Sequence, residues 1–283
     1  MIDGRLPSLD QLPEHRKLLE RAVACMRDDA RVEGLVTGGS LAHGKADFYS
    51  DVDLYIVVQD EAFDELFAER DAAVEAVGSP LFSFIVDPIP GGSTDHIVIY
   101  EGPVKFDFMY LKASDLKPDP KWVGCAVLED ASGHVGAAVA RSEGLARPQP
   151  TTEELLDLNQ KFWTWCWYVF GKIARGELWE ALDGLHSIRS LALVPMLDWA
   201  TGSPREGYRR LERKTDSTTA SRLLATVAAV QPEALYAALQ AEMELFRSLR
   251  AIVFDHYGLT FDPTPEEALD SEMSRRWVAR EAR

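Results

Sequence analysis

Two neighbouring runs decide the fold: Thr37-Gly38-Gly39-Ser40-Leu41-Ala42-His43-Gly44, and then Ser50-Asp51-Val52-Asp53-Leu54-Tyr55-Ile56-Val57-Val58. A β-rich segment, Val32–Val36, ends in Gly-Gly-Ser. Glycines let backbone N–H groups approach an anion closely, and Ser40 is placed to cap a short helix whose N-terminus also favours phosphate. Ten residues separate Ser40 from Asp51. Side chains alternate along a strand, so Asp51 and Asp53 leave the same face. Two carboxylates side by side are hard to ionise together. A divalent cation removes that conflict. Mg²⁺ in particular takes one or two carboxylates, with water and substrate phosphate oxygens completing its shell.

A third carboxylate, Asp107, sits in Val104-Lys105-Phe106-Asp107-Phe108-Met109-Tyr110-Leu111. A lone acid inside such an apolar run is costly to bury without a partner. Metal-bound acids on an adjacent strand would supply one. Upstream, residues 13–30 have helical spacing, with Leu18, Leu19, Ala22, Val23 and Met26 on one face. Downstream, the pattern predicts a helix over Glu61–Val77, strands over Leu81–Val86 and His96–Tyr100, and turns at Gly91-Gly92-Ser93 and Glu101-Gly102. The signal weakens from Ser114 to Pro150. Lys117-Pro118-Asp119-Pro120 breaks structure there, Cys125–Leu128 reads as a short strand, and Arg147-Pro148-Gln149-Pro150 reads as a linker. Thr151-Thr152-Glu153-Glu154 then caps an aromatic helix that ends at Arg175-Gly176. Further helices are expected over Glu177–Trp199, Thr218–Val230, Pro232–Tyr257 and Pro265–Arg280. The expected architecture is an α+β or α/β sheet domain over 1–147 followed by a helical bundle domain over 148–283.

The chain has 283 residues, 46% hydrophobic and 10% aromatic, which supports a sizeable core and excludes wholesale disorder. No run approaches the ~18 apolar residues of a bilayer span. Met1–Asp10 has no apolar segment of a secretory signal, so a cytoplasmic protein is expected. Cys25, Cys125 and Cys166 fit reduced core thiols better than a disulfide framework or a zinc site. Lys and Arg number 30 against 46 Asp and Glu, a net charge of −16. Such a chain repels nucleic-acid backbones and attracts a cationic small molecule.

Gly-Gly-Ser, a ten-residue gap, Asp-x-Asp on a strand and a third acid on a later strand together resemble the nucleotidyltransferase superfamily typified by DNA polymerase beta. That pattern covers about residues 36–111. The Asp130–Gly133 turn, the Ala146-Arg147-Pro148 linker and the helix ending Ala174-Arg175-Gly176-Glu177 extend the likeness. They look like the antibiotic nucleotidyltransferases, with the lincosamide enzymes nearest and the aminoglycoside adenylyltransferases close behind. The resemblance implies a polymerase-beta-like sheet domain that holds Mg-ATP and a helical domain that closes a cleft over an acceptor hydroxyl. It makes Asp51 and Asp53 the Mg²⁺-binding pair and Gly39 and Ser40 the phosphate-binding turn. Asp107 becomes the third acid, either a further metal ligand or the general base. The implied reaction moves AMP from ATP to a hydroxyl of a small, cationic, antibiotic-like acceptor and releases pyrophosphate.

Other residues carry weaker readings. His43 and Lys45 are either surface groups or phosphate contacts. Asp183, His186 and Arg189 or Ser190 form one polar stripe on an apolar helix. That stripe is either a solvated face or a cleft wall touching nucleotide or acceptor. Trp163, Trp165 and Trp167 cannot share one helical face, so packing explains most of them. Arg209, Arg210, Arg213 and Lys214 read as a solvated basic face rather than a triphosphate clamp. The competing function is a non-catalytic nucleotide-binding or antitoxin-type module of the same fold. The presence of all three acids favours the enzyme. The charge of −16, with no long basic stripe, argues against RNA-directed addition. The expected partners are a nucleoside triphosphate and a small acceptor, without nucleic acid or membrane, in a monomer or homodimer.

Overall fold

Apolar residues at every second position give strands that bury one face and leave the other to polar groups. The computed structural model describes residues 6–86, 92–146 and 148–281. Gly91 of the expected turn and Arg147 of the expected linker lie outside them. The chain divides into two compact units, Met1–Arg147 and Pro148–Arg283. In the first, the helices are α1 (Pro13–Met26), α2 (Gly39–Ala42), α3 (Phe63–Ala68), α4 (Arg70–Val77) and α5 (His134–Ser142). The strands are β1 (Val32–Thr37), β2 (Val52–Val58), β3 (Pro80–Ile85), β4 (Thr94–Tyr100), β5 (Val104–Lys112) and β6 (Ala126–Asp130). They form one mixed sheet in the order β3-β4-β5-β2-β1-β6, so the architecture is α+β. β2 and β5 are parallel and every other pair is antiparallel. A parallel neighbour requires a long crossover, and the segment running through α3, α4, β3 and β4 provides it.

The two faces of this sheet have different fates. Val52, Leu54, Ile56 and Val58 of β2 join Val104, Phe106, Phe108 and Tyr110 of β5 in a core closed by α1, α3 and α4. On the opposite face Val36, Val57 and Leu111 pack with Trp122 and with Val135, Ala138 and Val139 of α5. That second core covers only the C-terminal ends of β2 and β5. Asp51, Asp53, Lys105 and Asp107, nearer the N-terminal ends, are only partly covered.

The first unit and the thiols differ from the expected pattern. The predicted helix over Glu61–Val77 is broken into α3 and α4, where the Arg70 guanidinium donates to the Phe67 carbonyl at 2.9 Å and ends the first turn set. α5 was not expected, although Val135, Ala138, Val139 and Ser142 follow helical spacing and are its buried residues. The Asp130 carboxylate accepts from the Gly136 N–H and fixes its N-terminus. Of the three thiols expected in the core, only Cys166 is there; Cys25 is exposed and Cys125 half-buried.

The second unit is helical: α6 (Thr152–Arg175), α7 (Leu178–Ile188), α8 (Val194–Thr201), α9 (Leu211–Lys214), α10 (Ser217–Ala225), α11 (Pro232–His256) and α12 (Thr264–Glu281). α6 opens with a complete capping box. The Thr151 hydroxyl accepts from the Glu154 N–H, and the Glu154 carboxylate accepts from the Thr151 N–H. Gly176, at φ +77°, ends it. The core stacks Phe162 on Phe246 with ring centroids 3.7 Å apart. The single helix expected over Glu177–Trp199 is interrupted by a π turn, Arg189–Leu193, just before Pro195. Proline lacks an N–H and its ring crowds the carbonyl four residues earlier, so the preceding turn widens. Trp163 is buried, Trp165 half-buried and Trp167 exposed, as expected for residues on different helical faces. Among the described residues no helix is long and apolar enough to cross a membrane.

Phe106 is fully buried and stacked on Phe108 at 4.2 Å, whereas Trp179 is 75% exposed. Phe106→Ala is expected to cost about 3–5 kcal/mol of stability. Trp179→Ala should stay within about 0.5 kcal/mol. Urea denaturation followed by circular dichroism measures both.

Candidate active site

β2 and β5 run parallel in a register that makes Asp53 and Asp107 direct neighbours. Alternation then puts Asp51, Asp53, Lys105 and Asp107 on one face. The Lys105 ammonium joins the carboxylates of both strands. Its Nζ donates to Asp51 Oδ2 at 2.9 Å and to Asp107 Oδ1 and Oδ2 at 2.7 and 2.6 Å. The Asp107 side chain is only 15% exposed. Burial pushes the Asp107 carboxyl above its ordinary value. The hydrogen bond from Lys105 offsets this in part, and the nearby Asp51 and Asp95 charges add to it. For Lys105, burial works against the ammonium, but its bonds to Asp107 and Asp51 prevail and hold its pKa above the ordinary range.

The turn between β1 and α2 is tied directly to Asp53. The Asp53 carbonyl accepts from the Thr37 hydroxyl at 2.8 Å and from the Gly38 N–H at 3.3 Å. Gly39 has φ +61°, and a Cβ there would lie 2.1 Å from Asp53 Oδ2. Only glycine lets the backbone pass this close to that carboxylate. Ser40 does not cap α2, contrary to the sequence reading. Gly38 is the N-cap residue and Ser40 is already inside the turn. His43 is exposed, and its Nδ1 lies 2.6 Å from the Gly39 carbonyl. Lys45 is exposed, with its backbone N–H donating to the Ser40 carbonyl at 2.9 Å.

Sequence reasoning missed two groups on this face. Lys105 drew no reading from the sequence; its position two before Asp107, hence on the same face, was the available signal. Asp95 is paired with Met109 of β5 and shares the side of Asp107. Its Oδ1 is buried without a hydrogen-bond partner among the described residues. Tyr55 lies beyond Asp53 on the same face, edge-on to Trp122 with centroids 4.6 Å apart. Burial, and then the Asp53 charge, raise the Tyr55 hydroxyl well above its usual range and the Cys125 thiol to about 11.

Among the described residues no three His, Cys, Asp or Glu side chains gather into a metal cage. A Mg²⁺ ion carried in with a nucleotide needs no such cage, because it uses one or two carboxylates and the substrate's own oxygens. The donors here are all carboxylate oxygens on two adjacent strands, one of them beside the Gly39 backbone. That set fits a hard divalent cation.

In the helical unit the predicted stripe divides. Asp183 and His186 are exposed, and the His186 ring stacks on Tyr208 at 5.9 Å. Arg189 turns inward. Its Nη1 donates to the Thr226 carbonyl at 2.6 Å and to Glu242 Oε1 at 3.1 Å, and Glu242 is fully buried. Lys214 of the basic cluster is likewise committed, to Asp198 at 3.4 Å.

The family model described as streptomycin adenylyltransferase matches residues 13–273. The chain belongs to this family. It is an adenylyltransferase, a nucleotidyltransferase of the antibiotic-resistance type, and its substrates are a nucleotide and a small molecule. No curated protein matches it in sequence. Among solved structures it is similar to an aminoglycoside 6-adenyltransferase from Bacillus subtilis, at 19% identity and a TM-score of 0.44, covering 95% of this chain and 99% of that one. It is also similar to a nucleotidyltransferase-like protein from Exiguobacterium sibiricum, at 10% identity and a TM-score of 0.39, covering 84% of this chain and 78% of that one.

In this adenylyltransferase, Gly39→Ala forces Asp53 to move. Turnover should fall by about 10²-fold, the effect of a misplacement near 1 Å. The stability loss should stay at about 1–3 kcal/mol, the cost of a strained left-handed residue. Steady-state kinetics beside thermal melting separates the two.

Proposed function

We propose that the enzyme transfers AMP from ATP to a hydroxyl of a small cationic antibiotic, an aminoglycoside or a lincosamide, with Mg²⁺ bound at Asp51, Asp53 and Asp107. The observation that carries this reading is the set of three carboxylates on one open sheet face, with Asp53 and Asp107 in register and the Gly39 backbone against Asp53. Asp51 and Asp53 would hold the metal, which would supply positive charge to the phosphate oxygens. The Gly39-Ser40 turn receives the triphosphate, with His43 and Lys45 beside it. The acceptor oxygen attacks the α-phosphorus, an O–P bond forms, the bond to the β-phosphate oxygen breaks, and pyrophosphate leaves. Asp107, in register beside Asp53 on the same sheet face, takes the proton of the attacking hydroxyl.

In this reading the sheet unit performs the transfer and the helical unit binds the acceptor. A groove of about 200 Å³ between α6 and α7 supports the second role. Trp165, Tyr168, Glu180 and Asp183 line it, and aromatic faces with carboxylates suit a cation. His186 and Arg189 then differ in kind: His186 remains a candidate contact, and Arg189 shapes the unit from within. The reading has the enzyme acting in the cytoplasm, as a monomer or homodimer, without nucleic acid or membrane.

The direct test incubates the protein with Mg-ATP and a panel of aminoglycosides, lincosamides and cellular metabolites. Mass spectrometry should find one antibiotic heavier by one AMP. If no compound gains a nucleotide, the proposal fails. Asp51→Asn and Asp53→Asn should each keep less than about a tenth of the wild-type rate, a loss of at least about 1.4 kcal/mol of transition-state stabilisation. Asp107→Asn should lose about 10²–10⁴ in rate while Mg-ATP affinity, read by calorimetry, is retained. Collapse of both together would make Asp107 chiefly a ligand. The acceptor's KM should rise with added salt, because surface charges are screened beyond about 8–10 Å at physiological ionic strength.

A further inference from the structure

Lys105 is the one cation joined to both Asp51 and Asp107 among the described residues. An ammonium has three N–H donors and no acceptor. All three are matched here by carboxylate oxygens: Asp51 Oδ2, Asp107 Oδ1 and Asp107 Oδ2. The lysine reaches these oxygens along its own strand face, because it stands two residues before Asp107. Its side chain is 33% exposed, so it has room to swing outward.

We infer that Lys105 is a displaceable resident cation, which holds Asp51 and Asp107 together before the divalent metal binds and gives up their oxygens when it does. The inference rests on the metal reading of Asp51, Asp53 and Asp107 given above. Both cations claim the same carboxylate oxygens, and their like charges repel at such short range. Lys105 therefore keeps the acids paired in the metal-free protein and sets the cost of loading the metal. Once released, its ammonium has donors free for a phosphate oxygen. Lys105 is a positioning residue in this scheme and takes no proton from the acceptor.

The test reads Mn²⁺ binding by electron paramagnetic resonance, without nucleotide or turnover. Wild type should bind Mn²⁺ and Asp53→Asn should bind it far more weakly. Lys105→Met should bind it at least about tenfold more tightly than wild type, since a competing unit charge is gone. Lys105→Arg keeps the charge and should bind no more tightly than wild type. If Lys105→Met binds Mn²⁺ equally or more weakly, or Lys105→Arg gains as much as Lys105→Met, the inference is overturned while the metal site stands. If Asp53→Asn binds as wild type does, the metal reading falls and the inference falls with it. Should Lys105→Met not fold, wild type alone decides. Acylation of Lys105 by an amine-reactive ester, mapped by peptide mass spectrometry, should speed up several-fold on adding saturating Mn²⁺. An unchanged or slower rate overturns the inference.

Discussion

Repulsion between carboxylates is the constraint around which the sheet unit is organised. Strand alternation and the parallel register of β2 and β5 force Asp53 beside Asp107, with Asp51 on the same face. Neighbouring strands lie about 4.8 Å apart. Two unit charges about 5 Å apart repel by about 3 kcal/mol at an effective dielectric near 20, a large part of a domain's net stability. A face with this property cannot be roofed by apolar side chains, so it must stay open or carry cations. The structure does both, with solvent on the face and the Lys105 ammonium between two of the acids.

The cost of that open face is met on the other side of the same strands. Leu54, Ile56, Phe106, Phe108 and Tyr110 are all fully buried against α1, α3 and α4. The uncovered face is also shortened, because α5 and Trp122 close the C-terminal halves of β2 and β5. What remains is a patch that runs from Gly39 past Asp53 and Asp107 to Asp95 on β4. The turn at Gly39 is held from beneath by the Asp53 carbonyl, so backbone and carboxylate are positioned by one residue. Any movement of β2 relative to β1 would therefore shift the turn and the acid together.

Much of this was legible in the sequence because its signals are local. Gly-Gly-Ser after a strand, Asp-x-Asp at the next, and an acid inside an apolar run each have a short-range physical meaning. The register of β2 against β5 was not legible, since Asp107 lies 54 positions after Asp53 and the pairing follows from the crossover. Lys105 was passed over for a related reason. A lysine at an alternate strand position looks solvent-facing until the neighbouring strand is known. Ser40 was misread because a cap needs a residue outside the helix, and Gly38, extended at φ −116° and ψ −156°, already takes that place. In the helical unit, a strict 3.6-residue period put Arg189 on the stripe of Asp183 and His186. The π turn that begins at Arg189, widened ahead of Pro195, accompanies its inward turn to Glu242.

The charge balance gives the last step. Arg189 with Glu242, Arg250 with Glu266, and Lys214 with Asp198 are nearly buried pairs. Each cation is committed to a carboxylate, and removing one partner would cost about 3–5 kcal/mol by stranding a charge. These cations are therefore unavailable to clamp phosphates, and the whole net charge of −16 is borne by the remaining groups. On the proposed reading, a protein so acidic draws in a cationic acceptor without help, but it repels a free triphosphate. Under the proposed chemistry it must meet the nucleotide as a metal complex, whose added positive charge offsets that repulsion. The same carboxylates that make the surface hostile to bare ATP then make it receptive to the metal that ATP carries.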